Sequence, residues 1–339
     1  MILNINFTKK FEDSFRHDVK LSNYSWFNLG GNAEYFYKAK DEKQLIEFLQ
    51  EAKKQNLKIT ILGAGSNTLF RDKGVKGAVI KLGNEFSYTK LINKNILDVG
   101  AATLDRKVAN YAKENNIGNF EFLSCIPGSV GGAIAMNSGC YENDISKILI
   151  SIRAIDKKKL SVIEIKKEDI KFSYRGTDLP NNLIIISAKF QGALCAKEKI
   201  EKKQSDFIEK KKLSQPSQIK TCGSTFKNPS NNKAWKLIKE SGCQGMTEGD
   251  AYISEKHCNF FVNKGKATSN DVENLIKKAG CDEFREGDAM ISQKHCNFFV
   301  NNGNAKSSDI ENLIDKVKKK VQEKTGADLE LEIKIVGEK

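Results

Sequence analysis

The sequence predicts an α+β protein of two units joined by a charged helix. Three observations lead to this reading. Runs with the two-residue period of strands alternate with runs of helical period along all 339 residues. The stretch AKEKIEKKQSDFIEKKKLSQP (196–216) is highly charged, has few apolar positions, and separates an earlier block from a later one. Finally, GDAYISEKHCNFFVN (249–263) returns as GDAMISQKHCNFFVN (287–301). The expected organisation is an N-terminal segment 1–19, a first unit 20–195, a linker helix 196–214 and a second unit 215–339.

In chain order, DEKQLIEFLQEAKKQN is a helix. Asp41 and Gln44 stand at capping-box spacing, and Leu45, Leu49 and Ala52 share a face. The strand LKITIL follows, then the loop GAGSN, a turn over Arg71 to Gly74, and the strands GAVIKL and NILDVG. TLDRKVANYAKENNIG is a helix with Leu104, Val108 and Tyr111 aligned, closed by Gly118. ILISIRAI and LSVIEI form a hairpin around Asp156 to Lys159, and LIIISAKF is a buried strand. The second unit reads as strand GSTFKN, helix KAWKLIKESG, two short strands, helix NDVENLIKKAG, two short strands, helix SDIENLIDKVKKKVQEKTG and a last strand LELEIKIVG.

Composition narrows the class. Hydrophobic content of 39% with 9% aromatics supports real cores. The N-terminus lacks a leader pattern and no run approaches the roughly 18 apolar residues of a membrane span. A cytoplasmic protein without membrane insertion is expected, and a monomer. Eight cysteines without a C-x-x-C pair read as free thiols packed as small hydrophobes. Of the 56 basic residues only Arg16, Arg71, Arg106, Arg153, Arg175 and Arg285 are arginine. Lysine spread among acidic residues argues against a nucleic-acid partner, although a net charge of +13 also attracts anionic small molecules such as nucleotides.

The chemistry lies in glycine-rich loops. Gly63, Ala64, Gly65, Ser66 and Asn67 let backbone N–H groups approach a phosphate. A dinucleotide fingerprint would add a third glycine and a helix, whereas the chain here runs on to another strand. In IPGSVGGAIAMNSG (126–139), Pro127-Gly128 suits the centre of a type II turn, and the small residues that follow keep side chains away from something flat and large. Gly30 and Gly31 make a third small-residue loop, so the three together point to a wrapped cofactor.

Taken in order, NLGGNAEYF, GAGSN, IPGSVGGAIAMNSG, SYRGT, GSTFKNP, EKHCNFFVN and LELEIKIVG resemble the UDP-N-acetylenolpyruvoylglucosamine reductase family over nearly the whole chain, in its short-loop branch. The resemblance implies a two-subdomain FAD-binding fold of the vanillyl-alcohol-oxidase type, followed by an α+β substrate-binding domain. It implies FAD as cofactor, NADPH as hydride donor, and reduction of UDP-N-acetylglucosamine enolpyruvate to UDP-N-acetylmuramate for peptidoglycan. Arg175 would sit over the enolpyruvyl carboxylate, Ser224 would donate a proton, and Glu332 would be the third catalytic group. Gly63 to Asn67, with Pro127, Gly128, Ser129, Gly131, Gly132, Asn137 and Ser138, would line FAD. Tyr174, Lys227 and Asn228 would touch substrate.

Elementary chemistry agrees with these roles. Reducing an enol ether needs a hydride at one carbon and a proton at its neighbour, and no side chain supplies hydride. Charge gathers beside the carboxylate, which a planar guanidinium suits. Two departures from the family pattern are Asn28, where many relatives carry Arg, and Glu142, where many carry Gly. The rival readings are a flavin oxidase of the same fold and a UDP-sugar-binding protein whose activity the repeat impairs.

The repeat has an offset of 38 residues, as between His257 and His295. Residues 242–279 and 280–317 are identical at 25 of 38 positions. Arg175, Ser224 and Glu332 occur once each, so a single active site is expected beside one surplus strand–strand–helix element. Adjacent His-Cys lacks the loop spacing of structural zinc, and no metal site is expected.

Overall fold

The computed structural model describes residues 10–214, 222–240, 253–254, 260–261, 289–291, 299–301 and 303–338. The expected helix NDVENLIKKAG and the pairs His257-Cys258 and His295-Cys296 lie outside them. Backbone contacts divide the chain into two units. One comprises Met1–Val19, Ala33–Gly65 and Lys76–Lys211; the other comprises Lys20–Asn32, Ser66–Val75 and Lys212–Lys339.

The first unit contains two larger sheets. One has the order Phe15–Lys20, Asn32–Ala39, Val75–Leu82, Ile59–Leu62, the last two strands parallel. Helix Glu42–Lys54 covers it. The Asp41 carboxylate accepts from Gln44 N at 2.8 Å, and the Gln44 side chain returns to Lys40 N at 3.0 Å, so both arms of the cap relieve unpaired helix-end donors. Leu45, Phe48, Leu49 and Ala52 of this helix bury against Tyr37 and Ile80, and Phe48 stacks on Tyr37 at 3.8 Å. Each fully buried large apolar side chain contributes about 1.5–3 kcal/mol.

The second sheet has five strands in the order Ser161–Lys166, Leu149–Asp156, Leu183–Gln191, Ile96–Gly100, Thr89–Asn93, all antiparallel. Helix Asp105–Glu114 packs beside it through Val108, Ala109 and Ala112, while Leu104 is its exposed N-cap. The helix does not run to Gly118. It stops at Asn115, Asn116 turns left-handed at φ 57°, and Ile117–Gly118 pairs with Ala193–Leu194. Asparagine tolerates that conformation, which makes Asn116 the terminator. Helix Lys197–Ser214, expected as a linker, docks through Ile200, Gln204 and Phe207; Gln204 Nε2 donates to Ala109 O at 3.1 Å.

The second unit is built around helix Ser307–Thr325, which ends at left-handed Gly326. Ile310, Leu313, Ile314, Val317 and Val321 face Phe27, Leu69, Phe226, Leu237 and Phe299 in one core. Thr68–Phe70 pairs in parallel with Lys334–Val336, and Arg71 grips Glu311 with two guanidinium nitrogens at 2.9 Å. Both repeat copies pair two short antiparallel strands in one register, Ile253 opposite Phe261 and Ile291 opposite Phe299. In the second copy Phe299, Val300 and Asn301 are buried, Phe299 meets Phe226 edge-on at 5.7 Å, and Asn301 Nδ2 donates to Phe27 O at 3.0 Å. The second copy therefore supplies the core strand.

Candidate active site

Two of the glycine-rich loops meet in the first unit. Gly63 follows strand Ile59–Leu62, and Ser129 is the N-cap of helix Val130–Ala135. A Cβ on Gly63 would stand 2.9 Å from Ser129 Oγ, while one on Gly132 would meet nothing nearer than Ser129 Oγ at 3.7 Å. Both glycines are exposed. Among the described residues no neighbouring atom requires glycine at 132, so the bare backbone there fits a group laid against it. Lys81 Nζ donates to Gly63 O at 2.7 Å. Burial, and then the charge of Lys38, push the Lys81 pKa down. A partly desolvated cation on this loop favours a polyanion such as a pyrophosphate. Sequence reasoning passed over Lys81, whose signal is a lysine inside the apolar run GAVIKL.

Gly128 has a different role from the one its dipeptide predicts. Its φ is not positive, so Pro127-Gly128 is not a type II turn. Glycine is needed because a Cβ would stand 2.5 Å from Asp105 Oδ2. Both Asp105 oxygens are buried without a hydrogen-bond partner, and burial pushes that pKa well above the usual carboxylate range, leaving a neutral carboxyl under the loop. Gly131 packs on Ala101. Gly30 and Gly31 are likewise packing glycines, pressed against Phe70 Cβ (2.4 Å) and Asp72 O (2.0 Å), so only two of the three small-residue loops gather at the cradle.

Downstream of the cradle, Asn137 Nδ2 donates to Ser173 O at 3.0 Å and its Oδ1 accepts from Ser146 N at 3.1 Å. Ser138 lies beside it, its backbone N–H bonded to Ala133 O. Asn137 thereby anchors the hairpin Phe172–Ser173 and Gly176–Thr177, whose turn is Tyr174-Arg175. Arg175 is left-handed, with φ 57°. That conformation costs an L-residue about 1–2 kcal/mol, and such strain concentrates at functional positions. Arg175 Nη2 donates to Gly139 O at 2.8 Å, and its Cζ lies 5.0 Å from the half-exposed Tyr174 ring. The guanidinium is thus aimed from both ends.

The second unit holds the other candidates. Ser224 follows Gly223, left-handed at φ 79°. Phe226 bridges Leu331, Glu332 N donates to Thr225 O at 2.7 Å, and Lys227 N donates to Glu330 O at 2.8 Å. Ser224 and Glu332 therefore ride on two paired segments. Asn67, the end of the GAGSN loop, completes this arrangement: its Nδ2 donates to Glu332 O and its carbonyl accepts from Lys334 N, each at 3.0 Å. Lys227 Nζ pairs with Glu330 at 3.4 Å, and Asn228 Oδ1 accepts from Ala234 N at 3.1 Å at the start of helix Ala234–Glu240. Ala64, Gly65 and Ser66 join the cradle to Asn67.

Sheets flanked by helices with a glycine cradle beside a cationic loop fit a dinucleotide cofactor, and likeness to known proteins makes the class an FAD-binding oxidoreductase. A family model of the FAD binding domain matches residues 33–160, and one described as the C-terminal domain of UDP-N-acetylenolpyruvoylglucosamine reductase matches twice, at 215–278 and 273–336. The chain belongs to the UDP-N-acetylenolpyruvoylglucosamine reductase family. It is 45% identical over 262 residues to the enzyme of that name from Pelagibacter ubique (76% of this chain, 85% of the relative). It is 39% identical over 333 residues to that of Orientia tsutsugamushi, covering 97% of each chain. The crystal structure of the Thermus caldophilus reductase superposes with a TM-score of 0.74 at 28% identity, covering 95% of this chain and 99% of that one.

Proposed function

We propose that this chain reduces the enolpyruvyl ether of UDP-N-acetylglucosamine to UDP-N-acetylmuramate, with NADPH as electron donor, as a cytoplasmic monomer. When bound, FAD supplies the hydride that no side chain can carry. Gly63, Gly132 and Ser129 would hold it with the rest of the loops 63–67 and 127–138, beside the Lys81 cation. Among the described residues no helix is long and apolar enough to cross a membrane.

Arg175 binds the substrate carboxylate and stabilises the charge that develops on the adjacent carbon. One such preorganised donor is worth about 2.7–4 kcal/mol. The Ser224 hydroxyl gives its proton to that carbon, and Glu332, when it carries a proton, stabilises the enolate. Tyr174, Lys227 and Asn228 contact the sugar nucleotide. The observation that carries the proposal is the left-handed Arg175, strained at its own backbone and tied to Gly139 O.

Anaerobic spectroscopy tests it. NADPH should bleach the flavin band, and the enolpyruvyl substrate should restore it. A flavin that recolours with oxygen but not with that substrate would make the chain an oxidase instead.

A further inference from the structure

Two thiols flank the glycine-rich segment. Cys125 closes the 3-10 turn Glu121–Cys125, and Cys140 lies on the short strand Gly139–Cys140 that packs on that turn. Neither is in a disulfide. Cys140 packs against the buried cluster that contains Cys125, and each thiol shifts the titration of the other. Cys140 Sγ is also 3.5 Å from Phe122 O, and Cys125 Sγ is 3.8 Å from Ser124 Oγ. The Lys211 ammonium, largely desolvated, bonds to the Cys125 carbonyl.

We propose that Cys125 and Cys140 are a peroxide-oxidisable dithiol whose disulfide displaces the Gly139 carbonyl from Arg175. This goes beyond the reductase activity; only its effect on turnover rests on the role given to Arg175.

The two sulfurs have divided roles. The Cys140 thiol, then Ser124 and the Lys211 charge, draw the Cys125 pKa down to about 7, whereas Cys140 is held up as a thiol. The Cys125 thiolate is therefore the nucleophile. It attacks one peroxide oxygen, an S–O bond forms and the O–O bond breaks, and hydroxide leaves. The Cys140 sulfur then displaces the second oxygen as hydroxide, which takes the Cys140 proton and leaves as water. Two electrons pass from the thiols to the peroxide, and one disulfide remains.

Cys140 is joined directly to Gly139, whose carbonyl orients Arg175, and the hairpin beyond it is held by the Tyr141 ring stacked on Phe207 at 4.7 Å. Drawing Cys140 onto Cys125 moves the Gly139 carbonyl that accepts from the guanidinium. The other described thiols, Cys195 and Cys222, serve as comparators. Burial pushes Cys222 up to about 12, which makes it a poor nucleophile.

The test uses the FAD-loaded protein. No Lys or Arg lies between residues 114 and 146, so trypsin leaves both thiols in one peptide, 114–147. After limiting hydrogen peroxide and quenching with an alkylating reagent, that peptide should be about 2 Da lighter and unalkylated. Turnover should fall several-fold and return with dithiothreitol. In Cys140→Ser the same treatment should leave a trappable sulfenic acid on Cys125 and no link. The proposal is overturned if Cys125 and Cys140 both remain alkylatable while Cys195 or Cys222 oxidises. It is also overturned if the link forms and turnover is unchanged.

Discussion

The side-chain amide of Asn67 donates to the backbone carbonyl of Glu332 at 3.0 Å, while the Asn67 carbonyl accepts from Lys334 N at the same distance. One residue of a loop expected to hold phosphate thus clamps the segment that carries the candidate carboxylate. Asn67→Asp keeps the shape and loses the donor. A hydrogen bond of this kind contributes about 1 kcal/mol to stability. Reduction of bound flavin by NADPH should be unchanged in the variant. The second half-reaction, with enolpyruvyl substrate, should slow about tenfold, a barrier rise of about 1.4 kcal/mol. Stopped-flow measurement of each half separately decides it; equal slowing of both would mean that the Asn67 side chain acts through the flavin and not through the Glu332 segment.

Arg175→Lys retains the charge and removes the planar fork that reaches Gly139 O and, in the proposed reaction, would hold the substrate carboxylate. Turnover should fall about a hundred- to a thousandfold, as when a preorganised donor is lost. Flavin content should stay unchanged, since the cradle lies on other residues. Steady-state rates beside the visible spectrum of the variant check both statements.

Tyr141 and Glu142 form the two-residue turn between Cys140 and Asn143, with φ of 51° and 62°. A turn with both central residues left-handed prefers glycine. Glu142→Gly should stabilise the protein by about 1 kcal/mol by removing that strain. The melting temperature should rise by about 2–4 °C, read by calorimetry on the FAD-loaded protein.

Asp105 gives a pH dependence of definite sign. Burial raises its folded pKa above that of the unfolded chain. The folded state therefore holds a proton that the unfolded state releases, and stability is lost as pH rises from the unfolded value towards the folded one. Asp105→Asn keeps the neutral shape and removes the titration. The variant should gain stability over the parent progressively between acid and alkaline pH, measured as denaturation midpoints across that range.

Local chemistry was legible in the sequence wherever a few neighbouring residues decide the outcome. Helix Glu42–Lys54 follows from its cap and apolar spacing, and the hairpin around Asp156 from two β-branched runs. Asn116 replaced Gly118 as a helix terminator because asparagine competes for the left-handed position. Gly128 looked like a turn residue and proved to be a contact residue, since the carboxyl it must clear lies 23 positions earlier, at Asp105. Pairing of Thr68–Phe70 with Lys334–Val336 joins strands more than 260 residues apart, and no periodicity encodes such a partner. Motif matching singled out Arg175 as a candidate, but its left-handed backbone is invisible in a sequence, because arginine there signals nothing.

The repeat permits a comparison of its own two halves. Deleting residues 242–279 or 280–317 leaves one complete unit in either case, because the copies are equivalent position by position. Phe299, Val300 and Asn301 have identical counterparts in Phe261, Val262 and Asn263, and Leu313 and Ile314 in Leu275 and Ile276. The buried Ile310 and Val317 have the smaller Val272 and Ala279. Loss of 242–279 keeps the larger side chains under helix Ser307–Thr325, so that variant should fold, retain flavin and turn over. Loss of 280–317 places Val and Ala where Ile and Val are fully buried, leaving three methylene-sized gaps in the core. At about 0.8 kcal/mol per buried CH₂, with the cavity term added, the second deletion should be less stable than the first by about 2–4 kcal/mol. Urea midpoints of the two deletions, compared at equal m-value, measure that difference. If instead the first deletion is the one that fails to fold, the 242–279 copy is indispensable and the second copy cannot sustain the core alone.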